Sequence, residues 1–161
     1  MKKLIIIVVL AVFSFACQQD ASSKWNTLDL MENGFPIAVN APDSAKVSVM
    51  DMGVLHDITI NSPEDKYHIQ IYASDAESDD IALIKADLVN DVRNNPFFSR
   101  IVKEDVKGFL YEITIDSVNY YSFRHVHVQG NTQFVFQTGI AQTFDQEQAE
   151  QLMDAVRQGS E

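Results

Sequence analysis

Polar and apolar positions change period twice along this sequence. Lys46-Val47-Ser48-Val49-Met50, Leu55–Ile60 and Tyr67-His68-Ile69-Gln70-Ile71-Tyr72 alternate with a period near two, the spacing of a strand with one buried face. In the last of these, Tyr67, Ile69 and Ile71 share a face. Phe35-Pro36-Ile37-Ala38-Val39 alternates too, but Pro36 has no N–H to give a ladder and confines that strand to an edge. Asn40–Ser44, Asp51–Gly53 and Asn61–Asp65 carry the Asn, Asp, Ser, Gly and Pro residues of turns. Thr27–Glu32 predicts a short helix or an irregular lead-in. Short turns between alternating runs predict an antiparallel meander.

After Ser74 the period lengthens. Ile81, Ile84, Leu88 and Val92 recur at helical spacing, Ser78 is the expected N-cap, and Asn94-Asn95-Pro96 stops the helix. Phe97–Val102 predicts a strand or a buried lead-in. Gly108–Ile115, Val118–Val128 and Gln133–Gln137 predict three further strands, the last two joined by a turn at Gln129-Gly130-Asn131. A closing helix, capped by Thr143 or Asp145, carries the stripe Ala149, Leu152, Met153, Val156 and ends near Gly159. The order strands, helix, strands, helix predicts an α+β fold, an antiparallel sheet with helices packed on it.

The N-terminal pattern is of another kind. Lys2 and Lys3 precede an unbroken apolar run, Leu4–Ala16, too short for the roughly 20 residues that span a bilayer. Ser14-Phe15-Ala16-Cys17 resembles a lipobox, with Ser14 where Leu is usual and a bulky Phe15. Cleavage at Ser14-x-Ala16 that leaves Cys17 as a free thiol is the competing reading, but a lone cysteine in an exported protein has no disulfide partner. The expected organisation is a lipoprotein signal peptide over 1–16, a lipidated Cys17 and flexible tether over 17–27, and one α+β domain over 28–161. Gln18 follows Cys17 where Asp would retain the protein at the inner membrane. The expected location is therefore the cell envelope, lipid-anchored in the outer membrane of a Gram-negative bacterium.

Charge narrows the partners. The formal charge of −11 becomes −13 once residues 1–17, with two lysines and no acid, are removed. Such a surface repels nucleic-acid phosphates and anionic headgroups, so no nucleic acid is expected to bind and the membrane is reached through lipid alone.

Several stretches resemble the PsbP-like α-β-α sandwich family: Phe35–Val39 leading into Ala41-Pro42, a helix ending at Asn95-Pro96-Phe97, Val102–Glu112, and Phe134-Val135-Phe136 before Asp145–Arg157. Together they span most of residues 35–157. That family includes extrinsic subunits of the photosynthetic water-oxidising complex and a nuclear-transport accessory factor. The resemblance implies a binding or assembly role without a reaction. None of its functional residues maps onto a position here.

Candidate chemistry is sparse. His125 and His127 alternate on one strand with Tyr121 and Phe123, so the imidazoles share a face, where His68 or an acid from a neighbouring strand could complete a metal site. A half-exposed sheet face under a helix accounts for the same residues without metal. Asp75-x-Glu77-x-Asp79 mimics a calcium loop, but Asp80 and Ala86 stand where the glycine and closing glutamate belong. There is no Gly-x-Ser-x-Gly, no His-Glu-x-x-His and no phosphate-cradling glycine loop, so no enzyme and no cofactor beyond the lipid are predicted. Tyr120, Tyr121, Phe123 and Arg124 are residue types that anchor interfaces, and form the expected partner surface. The sequence therefore predicts a non-catalytic binding or accessory module for another envelope component, with metal binding through His125 and His127 as the alternative.

Overall fold

The computed structural model describes residues 25–140 and 142–159. Cys17, the apolar run and most of the tether lie outside them. Among these described residues, nine strands and two α-helices follow in the order β1 (Asn26–Asp29), β2 (Ala38–Ala41), β3 (Lys46–Asp51), β4 (Leu55–Ser62), β5 (Tyr67–Asp75), α1 (Ile81–Arg93), β6 (Phe98–Glu104), β7 (Gly108–Ile115), β8 (Val118–Gln129), β9 (Thr132–Thr138) and α2 (Gln146–Gly159). The fold is α+β, as the change of period predicts. Strands β3 to β9 form one antiparallel sheet in the order β3-β4-β5-β9-β8-β7-β6, so the last hairpin inserts β9 beside β5. Among the described residues no helix is long and apolar enough to cross a membrane.

Period-two alternation gives the sheet two apolar faces. On one, Ile58, Ile71, Phe136, His125 and Gly108 stand side by side across five strands. Tyr67, Ile69 and Phe123 extend that face, and α2 covers it with the predicted stripe Ala149, Leu152, Met153 and Val156. On the other, Phe109 and Tyr111 of β7 meet Val89 and Val92 of α1. This second core is smaller, because α1 packs against β8 and β6 and, among the described residues, no helix packs on that face of β3, β4 and β5.

Three boundaries depart from the sequence reading. Residues 26–29 form a strand, pairing with β2 in a separate two-stranded ribbon, and the helical part of the expected lead-in is confined to a 3-10 turn at Met31–Asn33. That strand is four residues long, and its ladder exists only through partners that lie further along the sequence, from Ala38 to Ala41. Asp80 rather than Ser78 caps α1, accepting from the backbone N–H groups of Ala82 and Leu83, while the Ser78 hydroxyl accepts from Asp80 N–H. The expected strand Phe35–Val39 starts only at Ala38; Phe35 and Ile37 precede it and are still buried in the core. At α2, Asp145 and Gln148 form a reciprocal capping box. Gly159 ends the helix against the β2 backbone, where a Cβ would come within 2.4 Å of the Val39 Cα.

Candidate functional site

Strand β8 divides the predicted site residues between two faces. Phe123, His125 and His127 point toward α2, while Tyr120, Ser122 and Arg124 point to the α1 side. Phe123 is fully buried and belongs to the core. Tyr121 donates its hydroxyl to the Glu112 carboxylate at 2.9 Å, and Arg100 donates to the same oxygen at 2.9 Å. These two bonds hold Glu112 below the usual carboxylate range, the Arg100 bond contributing most.

His125 is 2% exposed and edge-on to Phe136 at 5.9 Å. It packs over Gly108, whose missing Cβ would lie 3.1 Å from its Nδ1. Neither ring nitrogen has a hydrogen-bond partner among the described residues, and burial drives the pKa down to about 4, so the ring is neutral. His127 is tilted on Phe134 at 6.3 Å and pairs its Nε2 with Gln129 Oε1 at 3.2 Å. His68 faces the other way. Its neighbours in sequence, Tyr67 and Ile69, fill the α2-side core, and its own ring lies against Gly139. The structure thus brings His125 and His127 onto one face and separates His68 from them by the sheet. Among the described residues, no group of three or more His, Cys, Asp or Glu side chains is placed to hold a metal ion.

The α1 side holds a groove of about 410 Å³ over β7, β8 and the segment after β9, in the size range of ligand and peptide sites. Tyr120 and Arg124 line it together with Tyr111, Ile113 and Ile115 of β7, and Tyr121 reaches its edge. The Arg124 guanidinium lies 5.5 Å over the Tyr111 ring and donates to the Phe123 carbonyl at 3.2 Å. No carboxylate among the described residues pairs with it.

Beside Arg124 in register stands Gln137, buried and held in a series of amides. Asp57 only accepts, so Gln70 turns its Nε2 toward Asp57 Oδ2 at 2.7 Å. Gln70 then offers its oxygen to the Gln137 Nε2 at 2.9 Å. A carboxylate on β4 thereby fixes an amide on the groove wall two strands away. Ser122 and Thr138 share a hydroxyl–hydroxyl bond of 2.6 Å in the same wall.

Two properties set the groove apart from the rest of the surface. The protein has 23 acidic residues, yet none of the described residues lining the groove is acidic. Its rim is apolar: Ile140 is 83% exposed, and Val118, paired with the groove residue Ile115, is 48% exposed. The β7 residues and Ile140 escaped the sequence reading because only the sheet order brings them beside Tyr120 and Arg124. A signal for β7 was present, since Tyr111, Ile113 and Ile115 fall on one face by period.

A scan against protein-family models matches none of them, and no curated protein is significantly similar in sequence.

Proposed function

We propose that this protein is an envelope lipoprotein, anchored by lipid on Cys17 in the outer membrane, whose PsbP-like domain is a non-catalytic binding or accessory module for another envelope protein. The observation that carries the docking site is Arg124, a cation without a carboxylate partner among the described residues, stacked on Tyr111 in the acid-free groove. Tyr and Arg in partly desolvated settings are the residues that dominate interface energies. The exposed Ile140 and Val118 add an apolar rim for a partner to cover.

The tether supports the same assignment. Trp25 stacks edge-on against Tyr67 at 4.9 Å, two residues along β5 from Ile69, which pairs with the groove residue Thr138. Seven residues separate Cys17 from Trp25, and the eight steps between them reach at most about 28 Å. A lipidated Cys17 would hold that end of the domain near the bilayer, within range of membrane-bound proteins.

Crosslinking of the tagged, tethered protein in cells, followed by identification of what is captured, tests this reading. One dominant envelope protein supports it; reproducible capture of nothing but lipid contradicts it. Cys17→Ser should abolish acylation and release the protein from the membrane fraction or leave precursor. The alternative, a metal site on His125 and His127, needs a third ligand from the α2 side, because His68 faces away. Tight zinc binding lost in a His125→Ala, His127→Ala double variant would favour it.

A further inference from the structure

We infer that the groove receives a carboxylate-bearing apolar segment of the partner protein, with Arg124 as the charge it meets. This rests on the groove being the docking site. Three features select the occupant. The guanidinium is held by a ring and a backbone carbonyl, which leaves donors unsatisfied by any carboxylate of the described residues. A carboxylate is the group that matches such a fork, in two parallel charge-assisted hydrogen bonds. A phosphate of a nucleic acid or an anionic membrane meets the repulsion of the surrounding protein, of net charge −13 once residues 1–17 are removed, over a broad area, whereas one carboxylate inside an acid-free groove does not.

The walls define the rest of the segment. Ile113 and Ile115, half-buried, offer apolar surface beside Arg124, so residues flanking the carboxylate are apolar. The apolar surface includes the exposed Ile140 at the groove's edge and continues past the groove to Val118. A free amphiphilic acid filling 410 Å³ would leave Val118 bare, while a protein segment covers both the groove and Val118. The acid is an Asp or Glu side group or the terminal carboxylate of the partner.

The test places a photo-crosslinking residue at Ile140 in the full-length, membrane-tethered protein and sequences the linked peptide. The expected peptide is apolar and contains Asp, Glu or a terminal carboxylate. Arg124→Gln should cut the crosslink yield about tenfold or more. Arg124→Lys should retain part of it, and Lys46→Gln, on the far sheet edge, should leave it unchanged. Retained yield on Arg124→Gln, or a linked peptide without a carboxylate, overturns the inference while leaving the groove as docking site. Crosslinks from Ile140 only to lipid or to a second copy of this protein overturn it as well. Capture of an envelope protein solely through other positions would instead reject the groove itself.

Discussion

Arg124 stacks over Tyr111 at 5.5 Å, diagonally across the ladder that pairs β8 with β7 in the floor of the groove. The stacking orients a cation that the sequence places among aromatic neighbours but that only the sheet order sets beside Tyr111. A double-mutant cycle of Tyr111→Leu and Arg124→Gln in urea unfolding should give a coupling of about 0.5–1 kcal/mol. Zero coupling would mean that the ring does not hold the guanidinium.

Gly139 owes its identity to His68. A Cβ at that position would lie within 2.3 Å of the imidazole atoms. Gly139→Ala should therefore cost about 1–3 kcal/mol, the usual range for overpacking. In a His68→Ala background the same change should be close to neutral, because the clashing ring is gone. Thermal unfolding of the four proteins decides the point.

His125 makes stability depend on pH. Its folded pKa is lowered from 6.5 to about 4 by burial; Asp105 opposes that shift, while Lys107, Arg157 and His127 reinforce it. The unfolded protein therefore binds more protons between those values. The stabilisation is complete above pH 6.5 and is lost as pH falls toward 4. The full loss is about 3 kcal/mol. His125→Leu should flatten the stability profile between about pH 7 and 5 relative to wild type. Parallel profiles would show that another group titrates in that window.

Asp57 sets the direction of the Gln70–Gln137 series of amides. Asp57→Ala leaves the Gln70 amide without its acceptor and should destabilise by about 1–3 kcal/mol. Asp57→Asn keeps an acceptor oxygen and should cost less. Equal costs would show that the carboxylate's charge, not its acceptor geometry, matters there.

How far the sequence could be read follows from range. The alternation of Tyr67, Ile69 and Ile71 and the helical spacing of Ile84, Leu88 and Val92 are local, and they predicted β5 and α1 directly. The shared face of Phe123, His125 and His127 is equally local. What local pattern cannot supply is which face a helix covers. Tyr120, Tyr121, Phe123 and Arg124 are close in sequence, yet Phe123 is core and Arg124 lines a groove, because α2 lies over one side of β8 and α1 leaves part of the other open. The separation of His68 from His125 has the same origin: the strand order sets it, and the order depends on β9 inserting beside β5. β1 was missed because Asn26–Asp29 carries no alternation of its own.

Where a partner touches the domain is the deciding question. Photo-crosslinkers placed singly at Tyr120, in the groove, and at Met50, 62% exposed on the opposite edge strand, would be compared in intact cells. Docking in the groove requires that one envelope protein be captured from Tyr120 and not from Met50. Capture from Met50 with none from Tyr120 would contradict it.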